Sequence, residues 1–247
     1  MKTMIITGAS RGIGAATAKL AAEKGYAVVV NYRRDLQAAE GVVAHIRQGG
    51  GEAIMVQADI AREEDVLRLF EETDRQYGRL DALVNNAGIL ERQIRVEQLD
   101  VERLSRVFAT NIIGQILCAR EAVKRMAFKH GGQGGTIVNV SSIAARTGSP
   151  HEYVDYAASK GAMDAFTIGL SKEVADEGIR VNAVRPAFIY TDIHRDGGEP
   201  GRVDRIKESI PMKRGGLAEE VAEAIFWLAS DKSSYSTGIF IDVTGGR

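Results

Sequence analysis

Short apolar runs alternate along the chain with longer segments of helical periodicity. The runs are almost continuously apolar and rich in valine and isoleucine, which is typical of strands buried on both faces of a parallel sheet. They lie at residues 4–6, 27–30, 53–56, 82–84, 136–140, 179–184 and 239–243.

The segments between the runs place apolar residues on one helical face. In segment 12–24, for example, Ile13, Ala16 and Leu20 share a face, and Gly25 is suited to end the helix. Strands that alternate with helices predict an α/β fold, a doubly wound parallel sheet, and 247 residues fit one domain spanning 1–247. The other helical segments are 35–48, 63–77, 100–128, 153–176 and 218–230.

Composition excludes several classes of function. The 32 basic and 33 acidic residues give a net charge of -1, so nothing favours nucleic acid or an anionic membrane as partner. No apolar run approaches the ~20 residues of a membrane span, and no signal peptide opens the chain, so we expect a cytoplasmic protein. Cys118 stands alone, which fits a reducing compartment. The scattered histidines predict no metal site, although His151 could edge a substrate pocket; they are His45, His130, His151 and His194.

A glycine-rich loop, TGASRGIG at residues 7–14, joins the first run to the first helical segment. Glycines in such a loop can be simple turn residues, but this position favours a dinucleotide site. Gly8 permits a tight turn, Gly12 allows close approach of a pyrophosphate, and Gly14 allows helix and strand to pack. The helix N-terminus then offers free N–H groups to the phosphates. A P-loop is excluded, because no Gly-Lys-Ser/Thr follows.

Tyr156 and Lys160 stand four residues apart on a predicted helix and therefore share a face. A phenol with pKa of about 10 is a poor base at neutral pH, and a nearby ammonium would lower that pKa. Ser142 follows the fifth run and so lies at the carboxyl edge of the sheet, where open α/β sheets bind ligands. The three side chains predict acid/base chemistry at that edge.

The second run ends in Asn31 without a carboxylate, which predicts NADP(H) as cofactor. An acidic residue at this place would bind the adenosine ribose and repel a 2′-phosphate. Arg33 offers a forked cationic donor to that phosphate, and Arg11 approaches from the glycine loop. Arg34 is a weaker candidate, and Asp35 is placed to cap the next helix.

The chain resembles the short-chain dehydrogenase/reductases over nearly its whole length. The matching pieces follow the family's order: TGASRGIG (7–14), Asp59, NNAG (85–88), Asn111, VSS (140–142), YAASK (156–160) and Thr237-Gly238. The resemblance implies a Rossmann fold with a seven-stranded parallel sheet. It also implies an oxidoreductase that acts on a small-molecule carbonyl or alcohol, and a homotetramer built through helix 153–176 and the helix that contains Asn111.

The resemblance further implies a role for each matching residue. Tyr156 exchanges a proton with the substrate, Lys160 lowers its pKa and binds the nicotinamide ribose, and Ser142 holds the reacting oxygen. Asn111 supports a water-mediated proton path to Lys160. With the arginine argument above, the expected cofactor-binding residues are Gly8, Ser10, Arg11, Gly12, Ile13, Gly14, Asn31, Arg33, Asp59, Ile60, Asn86, Ala87, Gly88, Tyr156, Lys160, Pro186, Ile189 and Thr191.

Three features depart from the family pattern or lie outside it. Ser142 and Tyr156 are separated by one residue more than usual, which leaves Ser141 as an alternative to Ser142. Ala187 replaces the usual glycine after Pro186, so that turn must differ or be strained. The segment at about 190–216 is rich in glycine and proline and is expected to be a mobile lid over the substrate.

Other functions remain open from the sequence. A 3-oxoacyl-thioester reductase of fatty-acid synthesis is the main alternative, but Glu177 stands where carrier-protein reductases present a basic residue and would repel an acidic carrier. A non-catalytic NADP(H) sensor would not need the Tyr–Lys pair. A Rossmann-type methyltransferase would share only the glycine loop.

Overall fold

The seven apolar runs form one parallel sheet in the computed structural model, which describes all residues from 1 to 247. Sequence analysis therefore predicted the fold class correctly. The strands are β1 (Lys2–Ile6), β2 (Tyr26–Tyr32), β3 (Ala53–Gln57), β4 (Ala82–Asn85), β5 (Gly135–Val140), β6 (Ile179–Pro186) and β7 (Phe240–Val243).

The strand order creates a crevice at the carboxyl edge of the sheet. The order is β3-β2-β1-β4-β5-β6-β7, so the chain winds one way from β1 to β3 and the other way from β4 to β7. Connections leave β1 and β4 toward opposite sides, which opens a crevice between them. Ile6 is in register with Val30 of β2 and Val84 of β4, so the loops that follow these strands meet at one level.

Helices cover both faces of the sheet. Five of the six predicted helical segments match a helix within a few residues at both ends. Asp35 caps the second helix by accepting a hydrogen bond from Ala38 N–H at 3.0 Å. They are α1 (Gly12–Glu23), α2 (Leu36–Gln48), α3 (Glu63–Tyr77), α4 (Val101–Phe108), α5 (Gln115–Met126), α6 (Ala144–Thr147), α7 (Val154–Glu173), α8 (Ile193–Asp196), α9 (Arg202–Ile206) and α10 (Ala218–Ala229).

Alternate residues of each strand supply two separate cores. Met4 and Ile6 of β1 face α1, α2 and α10, whereas Ile5 between them faces α3 and α5. Side chains of a strand alternate between faces, so a strand needs apolar residues at every position when both faces are covered. This requirement explains the continuous apolar runs of the sequence.

The structure differs from the sequence expectation at the long helix predicted for 100–128. A π-helical turn, Ala109–Gly114, separates α4 from α5 and carries Asn111. Gly114 lies against Ile60, where an added Cβ would come within 2.4 Å of the Ile60 carbonyl oxygen. The widened turn allows this contact, and π-turns are frequent at functional sites.

The segment 190–216 is also more regular than its composition suggests. It contains α8, α9 and a 3₁₀ turn at Lys207–Ser209.

No helix of the protein has both the length and the apolar character that a membrane crossing requires.

Candidate active site

A cleft of about 1390 Å³ opens at the carboxyl edge of the sheet. The residues predicted from sequence line it almost without exception. Gly14 and Asn111 do not line the cleft, but each lies next to a residue that does. The lining includes Gly8, Ser10, Arg11, Gly12, Ile13, Asn31, Arg33, Asp59, Ile60, Asn86, Ala87, Gly88, Ser142, Tyr156, Lys160, Pro186, Ile189 and Thr191.

The glycine loop needs glycine at each of its three positions, for different reasons. Gly8 and Gly12 adopt φ values of 62° and 55°, which side chains disfavour. A Cβ at Gly12 would also lie 3.3 Å from the Thr191 side chain. A Cβ at Gly14 would come within 2.5 Å of Asn86 Nδ2, so Gly14 allows helix α1 to approach the loop after β4 rather than a strand.

Asn31 lines the cleft and also has a structural role that the sequence did not indicate. Its side chain is buried and fully used: Oδ1 accepts a hydrogen bond from Gly8 N–H at 3.1 Å. Its Nδ2 donates to the Val56 and Ala58 carbonyl oxygens at 3.3 and 3.0 Å. Asn31 therefore holds the glycine loop to the end of β3. An aspartate here could not donate to the two carbonyls, so Asn31 is required by the loop itself as well as compatible with a 2′-phosphate.

Three arginines line the cleft near the glycine loop and the end of β2, and they differ in their ion pairs. Arg33 is 38% exposed and its Nε lies 3.7 Å from Asp59. Arg11 pairs with Asp196 of α8, so the glycine loop is tied to the lid segment. Arg34 lines the cleft and has no carboxylate partner. Exposed ion pairs contribute little free energy, so neither paired arginine is firmly held.

The loop after β4 is fastened to the glycine loop. Thr7 Oγ1 accepts hydrogen bonds from the N–H groups of Asn86 and Ala87, both at 3.0 Å. Asn86 Nδ2 donates in return to the Thr7 and Gly8 carbonyls. Gly88 then passes between two functional side chains, since an added Cβ would lie 3.5 Å from Asn111 Oδ1 and 3.6 Å from Lys160 Nζ.

Asn111 is fully buried and organises the backbone around it. Its Oδ1 accepts from Ile89 N–H at 2.8 Å, and its Nδ2 donates to the Ile89 carbonyl at 3.0 Å and to Ser159 Oγ at 3.2 Å. The side chain thus joins the loop after β4 to helix α7, one residue before Lys160.

The two serines after β5 face different surroundings. Ser141 Oγ donates to Asp164 Oδ1 at 2.6 Å and points toward helix α7. Ser142 also lines the cleft; its Oγ accepts a hydrogen bond from Ala144 N–H at 3.1 Å and lies near enough to Tyr156 to affect the pKa of the phenol. Both serines line the cleft, but Asp164 holds the Ser141 hydroxyl in a short hydrogen bond, so Ser142 is the better placed of the two to meet a reacting oxygen.

Tyr156 and Lys160 lie side by side on the cleft face of α7. Lys160 Nζ is 5.6 Å from the centre of the Tyr156 ring and donates to the Val140 carbonyl at 2.7 Å. Burial raises the pKa of Tyr156 to about 12, and the nearby Ser142 hydroxyl opposes this shift. Burial lowers the pKa of Lys160 to about 8, opposed by the carboxylate of Asp164. The expectation of a lowered phenol pKa is not met, because the ammonium does not contact the phenol oxygen. At neutral pH Tyr156 is a protonated acid beside a cationic lysine.

The two departures in the loops have simple structural outcomes. The longer connection from Ser142 to Tyr156 forms α6 and then a tight turn in which Ser149 and His151 adopt positive φ values of 43° and 67°. His151 is exposed and does not line the cleft, contrary to our expectation.

Ala187 does not adopt a positive φ, and its N–H donates to the Val243 carbonyl at 3.1 Å. The turn after Pro186 is therefore different from a glycine turn and unstrained.

The lid segment is held by side chains that sequence analysis missed. Arg202 is buried and donates to Glu152 Oε1 at 3.0 Å and to Glu199 Oε2 at 3.1 Å. Tyr153 Oη donates to the Gly197 carbonyl at 3.2 Å. His194 is also buried, although we expected a surface residue, and its pKa is lowered by burial. The Arg202–Glu152 and Tyr153–Gly197 contacts join residues 50 and 44 positions apart, so no local sequence pattern could have predicted them.

Glu177 lies far from the cleft in this chain. It precedes β6 and so belongs to the amino edge of the sheet, opposite the carboxyl edge. Its carboxylate pairs with Lys129 at 2.5 Å. The predicted repulsion of an acidic carrier at the site entrance therefore has no support within one chain.

Known proteins resemble the chain over its full length. The family profile described as enoyl-(acyl carrier protein) reductase matches residues 8–247. The uncharacterized oxidoreductase YgfF of Escherichia coli (strain K12) is 62% identical over 247 residues, which is 100% of both chains. The 3-oxoacyl-[acyl-carrier-protein] reductase of Synechocystis sp. is 41% identical and covers 98% of this chain and 95% of its own length. A short-chain type dehydrogenase/reductase from Mycobacterium marinum superposes with a TM-score of 0.93 at 32% identity, covering 99% of this chain and 94% of that one.

Proposed function

This chain belongs to the short-chain dehydrogenase/reductase family, and we propose that it transfers a hydride between NADP(H) and a carbonyl or secondary alcohol. The observation that carries the proposal is the placement of a half-buried phenol, protonated at neutral pH, next to a serine hydroxyl and a lysine, at the carboxyl edge beside the glycine loop. Such a group is a general acid that lies where a bound carbonyl would meet it.

The residues at the carboxyl edge fit a nicotinamide dinucleotide. The open backbone at Gly12 and the first turn of α1 suit a pyrophosphate, because a side chain at Gly12 would fill that space. Arg11, Arg33 and Arg34 suit a 2′-phosphate at the other end. The nicotinamide, when bound, supplies or accepts the hydride.

The protein's own residues then manage the proton. Ser142 Oγ holds the substrate oxygen, and Tyr156 Oη donates its proton to that oxygen during reduction. Lys160, which is cationic below a pKa of about 8, supplies positive charge beside the phenol as negative charge develops on it. Asn111 positions the backbone at Ile89 and the α7 turn that precedes Lys160.

The substrate class is a small ketone, sugar-like polyol or acyl thioester. The name of the Synechocystis relative favours a 3-oxoacyl thioester, and the position of Glu177 removes our argument against it. A screen of NADPH oxidation with ketones, sugars, quinones and 3-oxoacyl thioesters tests the proposal, with Tyr156→Phe as control. Tight NADPH binding without turnover of any class would instead favour a sensor.

The pH dependence should differ between the two reaction directions. Since the pKa of Tyr156 is raised to about 12, the acid form persists through the neutral range and reduction should be level from about pH 6 to 7. Reduction should then fall as the pH rises through the pKa of Lys160, about 8, because the charge of the ammonium is lost. Alcohol oxidation needs the phenolate and should rise with pH below 8. Initial rates in both directions from pH 6 to 10 test this, and a reduction rate that rises with pH would contradict it.

We also propose a homotetramer that uses the outer face of α7. Gly161 and Gly169 have open space where a side chain would stand, and Ile168 and Ile113 are 42% and 53% exposed. Such a face permits close approach of a partner helix. Light scattering should give a mass near four times 26.7 kDa, and Ile168→Arg should reduce it, whereas Leu36→Arg on α2 should not. A wild-type monomer at micromolar concentration would exclude the assembly.

A further inference from the structure

A buried ion pair lies one residue before Tyr156. Arg103 of α4 and Asp155 of α7 are only 7% and 1% exposed. Arg103 Nε donates to Asp155 Oδ2 at 2.7 Å and Nη2 donates to Oδ1 at 3.2 Å. The third branch of the guanidinium, Nη1, donates to the Arg92 carbonyl at 2.6 Å. One side chain thus joins the loop after β4 to the first turn of α7.

The same arrangement occurs one helical turn further along α7. Asn111 donates to Ser159 of α7 and to the Ile89 carbonyl of the loop after β4. In both places a side chain from α4 or from the π-helical turn that follows it bridges a carbonyl of the loop after β4 and an α7 side chain. The α7 partners, Asp155 and Ser159, are four residues apart, so they share a face.

Each bridge is placed directly before a functional residue. Tyr156 follows Asp155, and Lys160 follows Ser159, so the two bridges set the rotation of α7 at the two positions that face the cleft. An arginine bridge is suited to this task because its planar fork holds a carboxylate in two fixed bonds and still has a donor for the carbonyl.

From this geometry we infer that Arg103 and Asp155 are positioning residues for Tyr156, with Arg103 fixing the first turn of α7 against the loop after β4. The inference rests on the proposed function, in which Tyr156 is the acid. A displacement of about 1 Å at a reacting group can cost about a hundredfold in rate, so loosening this turn should act on kcat. Neither residue touches the cleft, so cofactor affinity should be spared.

Two variants separate positioning from stability. Arg103→Lys keeps the charge but cannot hold the carboxylate and the Arg92 carbonyl together. The double variant Arg103→Met, Asp155→Leu removes both charges, so no unpaired charge is buried and the fold should persist. We expect both to lower kcat about tenfold to a hundredfold, with the NADPH Kd within about threefold of wild type. The kcat of the double variant should be lower even if its Tm equals that of wild type.

The matched control is Arg125→Met, which removes a similar arginine fork between α5 and Asp74 of α3, away from the cleft. Its kcat should stay at the wild-type value. A kcat within twofold of wild type in either Arg103 variant would overturn the inference while leaving the proposed function intact.

Hydrogen exchange tests the bridge without any turnover. The amides of residues 154–157 should exchange at least about tenfold faster in Arg103→Lys than in wild type, because the turn opens locally more often. Unchanged protection there would overturn the inference. If wild type turns over no substrate but exchange accelerates as expected, the proposed function fails and the bridge stands.

Discussion

Replacing Tyr156 by phenylalanine should lower carbonyl reduction by about a hundredfold to ten-thousandfold. The change removes the phenol oxygen, which lies near the Ser142 hydroxyl and would be the acid nearest to a carbonyl held by that serine. Lys160 is not placed to replace it, because its ammonium is directed to the Val140 carbonyl at 2.7 Å. Initial rates with the best substrate of the screen measure the effect.

Cofactor affinity is the necessary control for that result. The glycine loop and the arginines lie away from the phenol, so the NADPH Kd of the phenylalanine variant should stay within a few-fold of wild type. Tyr153→Phe is a matched variant, since its hydroxyl binds the Gly197 carbonyl of the lid rather than Ser142. Tyr156→Phe activity within a few-fold of wild type would show that another group is the acid.

Wild type should prefer NADPH to NADH in kcat/KM, and Arg33→Ala should lower that value for NADPH about tenfold to a hundredfold. A hydrogen bond to a charged group contributes about 1.5–3 kcal/mol, which corresponds to such a factor. The variant also leaves Asp59 without the partner that lies 3.7 Å from it, and its carboxylate would then repel a 2′-phosphate. The value for NADH should change little.

A distant arginine serves as control for the loss of charge. Arg75 on α3 pairs with Glu72 and is 77% exposed, so Arg75→Ala removes one positive charge without reaching the cleft. Both cofactors should be unaffected by it. A wild type that prefers NADH, or an Arg33→Ala variant whose NADPH preference is unchanged, would contradict the assignment of this end of the cleft.

Asn31 shows why the cofactor argument needed the tertiary structure. From sequence it was a neutral residue at a strand tip, and its type was interpreted through the absent acid. In the fold its carboxamide connects residue 8 with residues 56 and 58, and each of these residues is 23 to 27 positions from Asn31 in the sequence. A residue type in a sequence does not state which of its possible hydrogen bonds is made.

The sequence by itself determined the layers of the fold and the edge at which the chemistry lies. Continuous apolar runs require a sheet covered on both faces, and the parallel strands bring the glycine loop, Ser142 and the α7 pair to one edge. Both features follow from the periodicity of apolar residues and from the direction of the chain, which short stretches of sequence encode.

Only the tertiary structure decided which side chains meet across that edge. It separated Ser142 from Ser141 through Asp164, tied Arg11 to Asp196, and joined Arg103 to Asp155 across 52 positions. It also placed Asn111 in a π-turn whose Gly114 packs against Ile60. The physical reason is that these contacts depend on how elements distant in the sequence pack together. The periodicity of a helix or strand does not change with the partner that its side chains contact, so the periodicity cannot identify that partner.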